Sequence, residues 1–260
     1  MHARGAIRLA TISTVVLAAA CASSHTAPSS ATNTVNPGGP ALEVPSLENS
    51  ATNVIVSLQR PTGDTVAHAV SVLRLTGVRA ESGTMLTKDW SPPFQSSDTL
   101  VVEKRTLRPQ REVLVFNHVR REYRYDGAHV TGTIQYPDSA PQAFDKTFEE
   151  PVFAFNEVEP FVRSLDYRKG LTVVLPLFSE VDAALEHDTV SVVGRASVAG
   201  HDTWIVRFAD PVITTVYMVD ARTRDMTDAV TTQRQSGLRF HYAYAGTGKG
   251  PAGIELRREP

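Results

Sequence analysis

FAFNEVEPFVRSLDYRKGLTVVLPLF, residues 153–178, is the stretch from which the architecture can be read. Val158, Phe161, Val162 and Leu165 stand at i, i+3, i+4 and i+7, one face of an α-helix. Asn156 suits an N-cap, and Glu159 three residues later completes a capping-box pattern. Pro160 falls in the first turn, where backbone amides lack helical partners in any case. Arg168 and Lys169 put positive charge near the expected helix end, and Gly170 can take the left-handed C-cap. The apolar run 171–177 then reads as a strand. An apolar helix face with β sequence on both sides predicts a single short helix laid on a sheet.

The rest of the chain alternates with period two. Strands are expected at 54–58, 66–75, 99–104, 111–117, 120–125, 130–136 and 143–149 before the helix. After it they are expected at 171–178, 189–196, 203–208, 214–219, 228–233 and 238–244. Asp126-Gly127 is a hairpin turn signal. Segment 81–95, with Gly83, Pro92 and Pro93, reads as a loop, and so does 179–188. Val101 to Thr106 matches Met218 to Thr223 in residue type, and Tyr123 and Tyr125 stand as far past Thr106 as Phe240 and Tyr242 stand past Thr223. A duplicated strand–turn–strand–strand unit and chance agreement in a β-rich chain both account for this echo. The pattern places one mainly β (α+β) domain at 51–245 and a frayed, glycine-rich tail at 246–260.

The N-terminus carries an address. Arg4 and Arg8 precede an apolar run, 9–20, too short to span a bilayer comfortably. It ends in Leu17-Ala18-Ala19-Ala20-Cys21, which resembles the lipobox of bacterial lipoproteins, with the leucine one place early. That resemblance implies a signal peptide at 1–20, a lipidated Cys21, and an outer-membrane-anchored lipoprotein facing the periplasm. The alternative is ordinary secretory cleavage, leaving the protein secreted or periplasmic. Cys21 is the only cysteine, so a disulfide framework and multi-cysteine metal sites are excluded. Residues 21–50, rich in Ser, Thr, Ala, Pro and Gly, read as a flexible tether with a span of roughly 30 Å. Removing 1–20 takes away two arginines and no acid, leaving 24 basic and 28 acidic residues. That balance gives no electrostatic case for nucleic acid.

TLRPQR (106–111), YRYDG (123–127), FNEVEPFVRSLDYRKGLTVVLPLF (155–178), VVGRASV (192–198) and YMVDARTRDM (217–226) together resemble a family of uncharacterised bacterial envelope domains. That family is in turn similar to the lipoprotein-localisation carriers and their outer-membrane receptor. The resemblance covers roughly residues 98–245. It implies a strongly curved antiparallel sheet, an unclosed barrel, with the helix packed on its concave face. In the carriers several helices plug an apolar cavity that accepts acyl chains; here the sequence offers one helix. No ligand-contacting residue carries over.

Catalytic signals are sparse. Seven histidines follow the signal region, and none forms H-x-H or H-E-x-x-H. His187-Asp188 and His201-Asp202 read as solvated hairpin ends, since strand neighbours face opposite ways. There is no G-x-S-x-G elbow and no phosphate-binding glycine loop. Lys104, Arg105, Arg108, Arg111, Arg120, Arg121 and Arg124 read as a solvated outer face paired with Glu103, Glu112 and Glu122; the alternative is a basic patch for phosphorylated lipid or polymer. Glu157 and Glu159 suit the helix start by dipole and capping. The expectation is a non-catalytic binding module without cofactor or metal. Phe161, Leu165 and Leu175 are the candidates to line an apolar groove for an acyl chain or a protein segment. The alternative is a scaffold that pairs with envelope proteins through strand edges and needs no pocket.

Overall fold

The computed structural model describes residues 33–37, 50–78, 83–90, 96–198 and 200–245. The signal region, Cys21, most of the tether and the tail 246–260 lie outside these residues. Two meanders make the sheet. The first comprises β2 (Ser50–Gln59), β3 (Thr65–Val78), β4 (Gly83–Trp90), β5 (Ser97–Glu103), β6 (Pro109–Phe116), β7 (Val119–Asp126), β8 (His129–Gln135) and β9 (Gln142–Thr147). The second comprises β11 (Thr172–Ser179), β12 (Ala184–Val198), β13 (His201–Ala209), β14 (Ile213–Asp220), β15 (Met226–Gln233) and β16 (Arg239–Ala245). Each strand pairs antiparallel with the next, and β16 pairs with β2 to join the two halves. Two short strands, β1 (Asn33–Thr34) and β10 (Phe153–Ala154), add in parallel to the free side of β11.

This order leaves β9 near one end of the sheet and β11 near the other, with no ladder between them among the described residues. The chain must nevertheless run from β9 to β11. It does so through 148–171, which carries a 3₁₀ turn, Phe155–Glu157, and one helix, α1 (Val158–Arg163). The sheet is therefore strongly curved, mainly antiparallel and not closed into a barrel, with a single short helix against its concave face. Side chains close the gap. The Tyr123 hydroxyl donates to the Glu180 carbonyl at 3.0 Å, Lys146 Nζ donates to the Ala183 carbonyl at 3.0 Å, and the rings of Phe144 and Phe178 meet at 5.7 Å.

A six-residue helix is not stable alone, so packing holds it. Phe161 is fully buried and its ring meets that of Phe153 edge-on at 5.5 Å. Val158, Val162 and Leu165 join Leu175, Leu177, Phe178 and Val190 in the same core. At the other end of α1, Arg163 donates from Nε to the Arg224 carbonyl at 2.9 Å and from Nη2 to Asp225 at 2.7 Å. Arg224 reciprocates from Nη1 to the Leu165 carbonyl at 2.6 Å, its guanidinium lying 4.3 Å over the Tyr167 ring. Tyr167 stacks on Trp204 at 5.4 Å. Arg163 thus lies off the apolar stripe, as helical phase requires, but it is a latch to the β14–β15 turn and only 12 % exposed.

Several local readings need correction. Glu157, not Glu159, is the capping acid: its Oε2 accepts the Ala154 amide at 2.9 Å, because a 3₁₀ turn precedes the helix. The helix ends at Arg163, well short of Arg168 and Lys169; Gly170, at φ 81°, belongs to a separate turn into β11. Segment 83–90 is a strand rather than loop, since β4 is held in register by β3 and β5 on both sides. β12 begins at Ala184, inside the expected 179–188 loop, with Glu186, His187 and Asp188 all in the β11 ladder. Residues 33–35 depart from the tether reading by hydrogen bonding to β11, with the Val35 amide donating to the Val174 carbonyl at 3.0 Å.

The internal echo has a structural counterpart. In the β5–β6 turn, Leu107 donates to Glu103 and Glu103 to Arg108; in the β14–β15 turn, Arg224 donates to Asp220 and Asp220 to Asp225. Leu107 and Arg224 both take positive φ, 51° and 65°. A register shift sits just before each turn, at Val101/Val102 and at Met218/Val219.

Candidate functional site

The helix does not fill the concave face. Beside it lies a cavity of about 490 Å³. Val158 and Glu159, from the first turn of α1, form one wall. The inward residues of β14, β15, β16 and β2 form the facing wall, among them Tyr217, Ala229, Tyr242 and Val54. Phe116 and Val181, 37 % and 54 % exposed, mark the rim where the cavity meets solvent. Phe161, Leu165 and Leu175 are placed elsewhere, in the packed core on the other side of the helix, and the cavity walls do not include them. One helix therefore divides the concavity into a filled half and an open half.

A knot of buried carboxyls lies at one end of the cavity. Asp98 and Glu180 line it, and Glu112 lies behind them at 1 % exposure. Glu112 accepts the Tyr125 hydroxyl at 2.6 Å and the Asn156 side-chain amide at 3.2 Å. Glu180 Oε1 accepts the Phe155 amide at 2.7 Å. Burial pushes both acids above the usual carboxylate range, and the Glu112 charge raises Glu180 further. Adjacent buried carboxyls ionise together only at high cost, so this cluster retains protons. Glu157, fully buried, is also raised by burial and then by Glu112. The knot ties the 3₁₀ turn and the β11–β12 turn to β6 and β7. It thereby positions α1 and shapes the polar end of the cavity.

Sequence reasoning placed Glu112 and Arg121 on the solvated face, and the structure corrects both. In β7 the alternation Arg120, Glu122, Arg124 outward puts Arg121, Tyr123 and Tyr125 inward. Register then pairs Glu112 with Tyr123 and brings it inside. The signal was present in YRYDG, but β6 carries apolar residues on both faces and does not reveal its own phase. Arg120 pairs with Glu122 at 2.7 Å on the surface, but along β7 and not across strands as expected.

The histidines are dispersed. His129 pairs with Asp145 at 2.8 Å, His187 with Glu150 at 2.7 Å, His201 with Asp220 at 3.4 Å and His241 with Asp228 at 2.8 Å, each at a separate place on the sheet. Strand neighbours do face opposite ways, but Asp188 is not solvated. It points inward and is fully buried, while Asp202 stays outside on Arg195. Among the described residues no three His, Cys, Asp or Glu side chains are placed to hold a metal ion, and no helix is long and apolar enough to cross a membrane.

Residues 51–240 match the model of a family described as a protein of unknown function, DUF3108. The motifs at 106–111, 123–127, 155–178, 192–198 and 217–226 all fall inside that match. No curated protein matches the chain. Among solved structures, the chain is similar to a β-barrel-like protein of the domain of unknown function DUF1849 from Brucella abortus, at 11% identity and TM-score 0.47, over 76% of this chain and 97% of that one. It is similar to a DUF1329 family protein from Desulfovibrio piger at 9% identity and TM-score 0.30, over 78% and 85%. It is also similar to a LolA superfamily protein from Nitrosomonas europaea at 10% identity and TM-score 0.26, over 84% and 90%.

Proposed function

We infer a binding role for this chain, which belongs to the DUF3108 family of proteins of unknown function: it holds an apolar molecule or acyl chain in the cavity beside α1. The supporting observation is the cavity itself. Its volume of about 490 Å³ falls within the range of small-molecule sites, about 300–1,000 Å³, and its walls are largely apolar. The open half is a feature of the sequence, in which Ala229 and Val54 stand where larger residues would close it. The role needs no chemistry on the ligand, which accords with the dispersed histidines.

The protein does this as a lipid-anchored envelope domain, held through Cys21 to the outer membrane and facing the periplasm. The Arg4 to Cys21 segment supports that reading. A crystal structure of gently purified protein tests the binding role. Density for an elongated apolar molecule between Val158 and Tyr242 supports it, and a cavity closed by side-chain rearrangement refutes it. One observation favours the second reading, a scaffold acting through strand edges: among the described residues β9 pairs only with β8. Co-purification of a partner whose cross-links map to 142–147, with the cavity empty, would favour that reading instead.

A further inference from the structure

The cavity is apolar in area but not in charge. Besides Phe116 at the rim, six aromatic rings contribute to its wall: Phe155, Phe208, Tyr217, Phe240, Tyr242 and Tyr244. α1 carries Glu159 into their midst, where it is only 8 % exposed. Burial holds the phenols of Tyr217, Tyr242 and Tyr244 above their usual range, and the Glu159 charge adds to the rise in each. One acidic side chain therefore shares the cavity wall with three phenol rings on β14 and β16. Asp98 and Glu180, members of the protonated cluster, stand on the wall as well, and among the described residues neither lysine nor arginine lines it.

Aromatic faces are electron-rich and attract cations, and rings gathered around an acidic group make the arrangement that recognises ammonium ligands. An anionic head group would instead meet the Glu159 side chain and the electron-rich ring faces in a medium where charge is poorly screened. The aliphatic surface of Val54, Leu114, Val158 and Ala229 leaves room for a hydrocarbon body. We propose that the cavity selects a cationic amphiphile, an amine or quaternary ammonium head seated among Glu159, Tyr242, Tyr244 and Phe240 with its alkyl part along the aliphatic wall. This rests on the reading that the cavity takes a ligand at all, and it adds the class of that ligand.

Calorimetric titration of the full chain with decyltrimethylammonium, decanol and decanoate, each below its micellar concentration, separates the two claims. The ammonium binds about tenfold or more tightly than the alcohol, as a desolvated cation–π site requires, and decanoate binds most weakly. Glu159→Gln lowers ammonium binding to the level of the alcohol and so abolishes the preference between them. Phe240→Leu, which keeps an apolar wall but removes one ring, lowers the same preference and covers the case in which the Glu159 variant does not fold. Equal binding of the three probes, or a preference that survives both substitutions, overturns the cationic assignment while the binding role stands. Binding of none overturns both.

Discussion

Asp188 offers a test in which protonation reports directly on packing. It lies in β12 opposite Leu175, is fully buried, and neither carboxyl oxygen has a hydrogen-bond partner among the described residues. Burial, helped by the charges of Asp210 and Glu186, pushes its pKa from an ordinary 3.8 up to about 7. The folded protein therefore keeps a proton that the unfolded chain gives up near pH 4. Between these values the folded state binds more protons, so stability falls as pH rises and the loss is complete above about pH 7. At about 1.4 kcal/mol per pH unit, Asp188 should cost the fold about 3 kcal/mol between pH 5 and pH 8. Asp188→Asn cannot titrate. Any penalty for burying its amide is the same at both pH values and cancels in the comparison. Urea denaturation at pH 5 and pH 8 should show the wild type losing about 3 kcal/mol more than the variant across that interval. Equal losses would mean that Asp188 is hydrated, and that β12 does not pack against β11 as described.

The helix and its latch give two further tests, and the anchor a third. Phe161→Ala empties a fully buried site and should cost about 3–5 kcal/mol, read as a lowered midpoint in thermal or urea denaturation. A loss near zero would place the helix outside the core. Arg224→Ala removes the donor to the Leu165 carbonyl and the cation over Tyr167, and should cost about 2 kcal/mol. The same substitution at exposed Arg120, whose pair is on the surface, should cost under about 1 kcal/mol. Cys21→Ser should shift the protein from the membrane to the soluble fraction or leave it unprocessed, and wild-type protein found wholly soluble would refute the anchor.

The β pattern was legible because most strands bury one face, and their period-two alternation survives in the sequence. The helix was legible because its four apolar positions share a face. What failed was set by pairing rather than by local preference. β4 carries loop-like residues, Gly83 among them, and is a strand because β3 and β5 hold it on both sides. The start of β12 was hidden in the same way, since Glu186, His187 and Asp188 read as turn residues until β11 gives them partners. The candidate site was the least legible part. Phe161, Leu165 and Leu175 are the apolar residues that periodicity singles out, and periodicity finds what is packed. An open cavity is lined by residues from both halves of the chain, such as Val54, Val158 and Tyr242, whose proximity depends on the β16–β2 junction. Glu112 and Glu180 likewise meet only through the curvature of the sheet.

The binding role stands or falls on whether the open half of the concave face takes a ligand. Ala229 lines the cavity on β15, opposite Tyr242 in register, so Ala229→Trp should fill it from within while leaving the helix core intact. Titration with the neutral dye Nile red, followed by its fluorescence, is the direct measurement. The wild type should bind saturably with one dye per chain, and Ala229→Trp, with an unchanged far-ultraviolet circular dichroism spectrum, should bind none. A wild type that does not bind, or a folded variant that binds equally well, would contradict the account.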